Sequence, residues 1–176
     1  MRTRGRLDLY GEHYEINGFF SRDRSWGEER RETARVGPPV TWMVGIVDES
    51  FAFHASAFDS PEDKPAWAER YPMEAGHNLR WGYVWSDGEL FPLTSLRKST
   101  RRDADGVTPT GFDLELTDAG GATHKIRGSV EARMPWQTWQ NMNVYFCLTR
   151  WETERGTGYG DAQEIQHNDF VRSFIR

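Results

Sequence analysis

The chain has 176 residues, enough for one domain with a real core and short for two. Its 22 basic and 27 acidic residues give a net charge of −5, and apart from Arg97–Asp103 the basic residues are scattered, which argues against a nucleic-acid binder. A single cysteine, Cys147, excludes an internal disulfide framework and a cysteine-based zinc site.

No apolar run approaches bilayer-spanning length, and "MRTRGRLDLYGEHYE" lacks the apolar stretch of a signal peptide. The expectation is a cytoplasmic protein with no stable membrane insertion. Aromatic residues make up 14% of the chain, eight of them tryptophan, an excess that suits a thick β core or a pocket for an apolar ligand.

Along the chain, short runs of two-residue alternation are separated by turn signals, as in an all-β antiparallel sandwich or barrel. Segments flank an Asn17-Gly18 turn signal; "TWMVGIVD" (41–48), "SFAFHASAFD" (50–59) and "HNLRWGYVWS" (77–86) follow, and five further runs occupy the second half, giving nine or ten strands. Between them, "PEDKPAWAERYPMEAG" (61–76) has three prolines and no period of two. It reads as a long connection with one short helical turn, placed to act as a lid. Asp48-Glu49-Ser50, Ser86-Asp87-Gly88 and Asp118 to Gly121 supply turn chemistry.

Alternation assigns faces. It predicts His77, Leu79, Trp81, Tyr83 and Trp85 on one inner face, Phe112, Leu114 and Leu116 on another, and His124, Ile126, Val130, Ala132 and Met134 on a third. Such an interior either packs solid or lines a cavity, and periodicity does not distinguish the two. Cys147, within "VYFCLTRW", reads as a buried inert thiol.

The segment "EINGFFSRDRSWGEERRE" (15–32) sets Arg22, Asp23, Arg24 and Trp26 together. An extended backbone puts Asp23 opposite Arg22, Arg24 and Trp26, so the knot is an exposed hairpin, a structural ion pair or a functional site. Other groups suited to proton transfer are His77, His54, Glu164 and His167. The five histidines show no metal-ligand spacing, so no metal is expected. Nor is there a phosphate-cradling loop or a dinucleotide fingerprint, since "GTGYGDAQE" lies in a strand pattern.

The residues "GFFSRDRSWGEER", followed by "GTGYGDAQEIQH", resemble the second half of the carotenoid 1,2-hydratase (hydroxyneurosporene synthase) superfamily of lipocalin-like proteins. Arg22 to Gly27 match its charged-Trp-Gly signature; Gly156, Gly158, Gly160 and Glu164 match a later glycine element more loosely. The resemblance implies a lipocalin-like barrel over 1–176 with a central apolar cavity, and hydratase, isomerase or cyclase chemistry without a cofactor. It also implies a small apolar substrate of isoprenoid or polyketide type. Many relatives carry two tandem barrels, and this chain has room for one; a second copy forming a homodimer would replace the missing barrel. Relatives often place histidine where this chain has Arg24, which cannot act as a base.

Hydration of an alkene passes through a carbocation-like state and needs a proton donor in an apolar cavity. Burial raises the pKa of a carboxyl there, and flanking arginines depress it. The resulting candidates are Asp23, Arg24 and His77 as catalytic groups, with Arg22, Trp26, His54, Trp81, Tyr83, Trp85 and Glu164 binding substrate. A binding or carrier protein on the same scaffold is the alternative, with an arginine packed on Trp26 to close the barrel.

Overall fold

The computed structural model describes residues 1–22, 24, 37–63, 69–74, 76–139 and 141–173. The chain divides into two compact units, Met1–Glu32 and Thr33–Arg176.

In the first unit, β1 (Arg2–Leu9) and β2 (Glu12–Phe19) form a two-stranded antiparallel sheet. The turn falls at Tyr10-Gly11, both with positive φ (51° and 84°), the backbone that a tight two-residue hairpin demands. Asn17-Gly18, expected to turn, instead lies inside β2, paired with Arg4 and Thr3. The register sets Leu7, Tyr14 and Ile16 on one face and Arg2, Arg4 and Arg6 on the other.

The second unit is a closed antiparallel barrel of eight strands: β3 (Val40–Ile46), β4 (Phe51–Phe58), β5 (Leu79–Ser86), β6 (Glu89–Arg102), β7 (Pro109–Asp118), β8 (Thr123–Trp139), β9 (Met142–Thr153) and β10 (Gly156–His167). Sequential strands pair, and β10 returns to β3 to close the circle. A 3-10 turn at Pro61–Asp63 opens the proline-rich connection, and a short helix, α1 (Asn168–Arg172), follows β10. The described residues thus form ten strands, eight of them in the barrel.

One half of the interior is filled by aromatic side chains. Trp151 is fully buried; its indole N–H donates to the Val44 carbonyl at 2.9 Å, and its ring meets Phe53 edge-on at 5.1 Å and Phe112 at 5.9 Å. A Cβ on Gly128 would enter this indole, and one on Gly45 would strike the Phe53 ring and then the indole edge. Phe51, Leu114, Leu116, Ile126 and Met43 complete the apolar fill. The inward assignment of Phe112, Leu114 and Leu116 on β7 holds.

Two face assignments are corrected, and β-bulges explain both. On β5, Ser56 pairs with Trp81 and Ala57 with Leu79, so Arg80 is an extra residue. Leu79 still packs on the core, but beyond the bulge Trp81, Tyr83 and Trp85 turn outward while Val84 is fully buried. On β8, Glu131 is extra between Val130 and Ala132, which puts Ala132 and Met134 on the outer surface.

The glycines of the late element have a structural reason. A Cβ at Gly158 would collide with the Ile46 carbonyl, and one at Gly160 with that of Val44, so these glycines let β10 approach β3 at the closing seam. Gly160→Val is expected to cost about 2–3 kcal/mol or more in urea denaturation. Gly5→Ala, where a Cβ meets nothing within 4 Å, is expected to stay within about 0.5 kcal/mol.

Candidate active site

Beside Phe112 the interior turns polar, with the Lys98 ammonium 6.0 Å from that ring. On β6, Leu96, Lys98, Thr100 and Arg102 share the inward phase, and the last three carry charge or hydroxyl groups into the interior. Lys98 and Asp59 have side chains with 0% exposure and form an ion pair. The Lys98 ammonium also donates to Thr100 Oγ1 at 2.8 Å. Thr100 in turn donates its hydroxyl (2.6 Å) and its backbone N–H (3.1 Å) to Asp59 Oδ1. Arg102 bridges two carboxylates, donating to Asp59 Oδ2 at 3.1 Å and to Glu164 on β10. Glu164 lies opposite Thr41 across the β3–β10 seam and accepts its hydroxyl hydrogen bond at 2.6 Å.

Two cations and two anions thus balance in a space almost closed to water. Burial pushes the Asp59 carboxyl up, but Lys98 and Arg102 outweigh it and hold the group at about 2. Asp59 is therefore a carboxylate and an acceptor. Burial lowers the Arg102 guanidinium, and Glu164 and Asp59 more than restore it, so it is raised above its ordinary value. A second polar layer locks the backbone: Asn78 donates to the Leu96 carbonyl at 2.9 Å and to Ser60 Oγ at 3.2 Å, while Ser60 Oγ accepts the Lys98 N–H at 2.9 Å.

Of the residues expected from the sequence, Glu164 is inside, at the heart of this network. His77 is not: it lies before β5 with a side chain 68% exposed, beside Glu74 at 3.2 Å. Trp81, Tyr83 and Trp85 are on the outer surface, Trp81 at 45% exposure. His54 is buried against that outer face, stacked on Trp81 at 4.4 Å and on Tyr83 at 5.6 Å, with Trp42 edge-on at 4.8 Å. These aromatics form an external cluster and do not line the interior. Arg22 and Arg24 are exposed in the first unit, and Asp23 and Trp26 lie outside the described residues. Cys147 is buried, and burial, with Glu164 and Asp161 adding to it, pushes its thiol up to about 12, which makes it inert.

The sequence reading missed Asp59, Lys98, Arg102 and Thr41. The signal for two of them was present: Lys98, Thr100 and Arg102 continue the two-residue phase of Leu96 into "RKSTRRD". Their partners are separated from them by 39 and 62 residues, and no local pattern connects such distances.

Elsewhere the barrel surface is ordinary. A shallow groove of about 430 Å³ over β6, β7 and β8 is lined by Arg97, Asp113, Glu115, Lys125, Arg127 and Glu152, a charged surface unsuited to an apolar molecule.

A family model described as a domain of unknown function (DUF7064) matches residues 1–169. The chain belongs to that family. No curated protein matches this DUF7064 chain. Among solved structures it is similar to kievitone hydratase from Nectria haematococca, at 17% identity and a TM-score of 0.48, covering 94% of the DUF7064 chain and 50% of the hydratase. The DUF7064 chain thus spans half the length of that protein.

Removing Lys98 leaves two buried carboxylates, Asp59 and Glu164, sharing Arg102 as their cation. Lys98→Met is expected to cost about 3–5 kcal/mol in urea denaturation, and Lys98→Met with Asp59→Leu to recover most of it. Because folding lowers the Asp59 pKa from an ordinary 3.8 to about 2, its contribution is complete above about pH 4 and is lost as pH falls through 2. Thermal melts across that window are expected to show an acid limb that flattens in Asp59→Asn.

Proposed function

We propose that the protein is a cofactor-free enzyme that adds or removes water, or isomerises or cyclises a double-bonded skeleton, on a small apolar molecule of isoprenoid or polyketide type. The observation that carries this reading is the balanced Lys98–Asp59–Arg102–Glu164 network in one barrel mouth. Buried ion pairs contribute little net stability compared with apolar residues of the same volume. A barrel that already has an aromatic core keeps four desolvated charges at a cost, and such clusters are where acid/base chemistry is found. The resemblance of Arg22 to Gly27 to the hydratase signature supports the same class.

Dehydration of an alcohol requires a proton delivered to the departing hydroxyl and a second proton removed from the adjacent carbon, so that water leaves and the double bond forms. Asp59, held ionised, keeps Lys98 and Arg102 in place. Glu164, positioned by Arg102 and Thr41, is the interior carboxylate available to exchange a proton with substrate. In the resemblance to the hydratase signature, Arg22, Asp23, Arg24 and Trp26 are the further candidates, with Asp23 as the group suited to proton transfer. His77, Trp81, Tyr83 and Trp85 have no part in this scheme, given their positions.

A second reading, binding without turnover, is favoured by one feature: Asp59, Lys98 and Glu164 are each already paired, as a structural closure of the mouth would require. Titration of tryptophan fluorescence with terpenoid alcohols, alkenes and polyenes, followed by mass spectrometry of each mixture, separates the two. The enzyme reading expects a new product whose formation falls at least about 100-fold in Asp23→Asn and Glu164→Gln, with quenching kept. Quenching with every compound recovered unchanged would leave the binding reading.

A further inference from the structure

Two buried polar atoms near the charged mouth have no hydrogen-bond partner among the described residues: Gln166 Oε1 and the Tyr71 hydroxyl. Buried polar groups are paired in the great majority of cases, so each exception asks for an explanation. Gln166 is completely buried, two residues beyond Glu164 on the inward face of β10. Its Nε2 donates to the Val107 carbonyl at 2.6 Å. That bond fixes the amide, because the flipped arrangement would point one carbonyl oxygen at another. Oε1 is therefore a rigidly held acceptor.

Tyr71 is also buried, and burial raises its pKa, so it stays a neutral phenol able to donate. It borders the same end of the barrel: its neighbour Arg70 donates to the Asp169 carbonyl at 3.0 Å, and Phe170, the next residue of α1, lies under the Arg102 guanidinium at 5.8 Å. Both orphaned atoms thus belong to the surroundings of α1 and of Glu164.

The charges there already cancel, Lys98 and Arg102 against Asp59 and Glu164. A charged ligand would meet no net opposite charge, and an anion would also meet the lone pairs of Gln166 Oε1. We infer that Gln166 Oε1 is a substrate-binding acceptor and that the molecule it receives is a neutral hydroxyl donor, an alcohol or a phenol on an apolar skeleton, with Tyr71 as the second polar contact. The inference rests on the proposed function for placing the substrate at this mouth, and it selects an oxygenated ligand over a hydrocarbon. An alcohol is the substrate of dehydration and the product of hydration, so the same acceptor serves either direction.

The test compares α-terpineol with p-menth-1-ene, the same skeleton without the hydroxyl, by fluorescence titration of the full chain and by a crystal structure with α-terpineol. Wild type is expected to bind the alcohol at least about tenfold more tightly. Gln166→Met, which keeps the volume and loses the acceptor, is expected to bring the two affinities within about threefold while leaving that of p-menth-1-ene unchanged. Tyr71→Phe, which deletes one hydroxyl and spares packing if Gln166→Met fails to fold, is expected to reduce the preference in the same sense. In the crystal the ligand hydroxyl should lie within about 3.2 Å of Oε1. Equal affinities in wild type, no binding of either probe, an unchanged preference in both variants, or a resident water alone on Oε1 would each overturn the inference. Product analysis of the same mixtures keeps the two ideas apart: discrimination without turnover removes only the hydratase reading, and turnover without discrimination removes only this one.

Discussion

An ammonium and a carboxylate with no solvent around either, as in Lys98 and Asp59, persist only where neighbouring groups replace the water they have lost. In this barrel Thr100, from the same strand, and Arg102, from its end, bond the pair directly. Glu164 with Thr41 at the closing seam holds Arg102, and the Ser60–Asn78 pair, where the chain enters and leaves the 61–76 connection, fixes the Lys98 backbone. Each of these groups is placed by a strand pairing elsewhere, so the register of β6 against β7 and of β10 against β3 carries the polar site. A one-residue slip in either would point Lys98 or Glu164 to the outside.

The aromatic half of the interior is the complement of that arrangement. Trp151 occupies the space that Gly45 and Gly128 leave open, and it ties its own polar atom to the Val44 carbonyl. The balanced charges border this fill at Phe112, and Gln166 lies two residues beyond Glu164 on the same strand. The division is encoded on single strands: β6 runs from Leu96 to Arg102 through Lys98 and Thr100, and β10 from Ala162 to Gln166 through Glu164.

Alternation made the antiparallel β class readable, and on β7, which is regular through Phe112, Leu114 and Leu116, it gave the faces correctly. It failed where one residue is added to a strand. Arg80 and Glu131 carry no mark of a bulge in their own chemistry; the bulges appear only in the pairing with β4 and β9. That is why Trp81, Tyr83 and Trp85, attractive as pocket walls, lie outside. Asn17-Gly18 misled for a related reason: its turn propensity is real, but Tyr10-Gly11 takes the left-handed backbone and sets the register. Within the candidate site, Glu164 was found through a resemblance to a glycine element. Lys98 and Arg102 went unrecognised because charge in a strand reads as solvent-facing until a long-range partner is known.

Cys147, the chain's one sulfhydryl, has a practical meaning beyond its inertness. It is buried on β9, paired with Ala162 of β10 on one side and Arg133 of β8 on the other, with a thiol too weakly acidic to react where it sits. An alkylating reagent therefore reaches it only when the barrel loosens around β9, which turns the rate of its modification into a clock for how often the barrel opens.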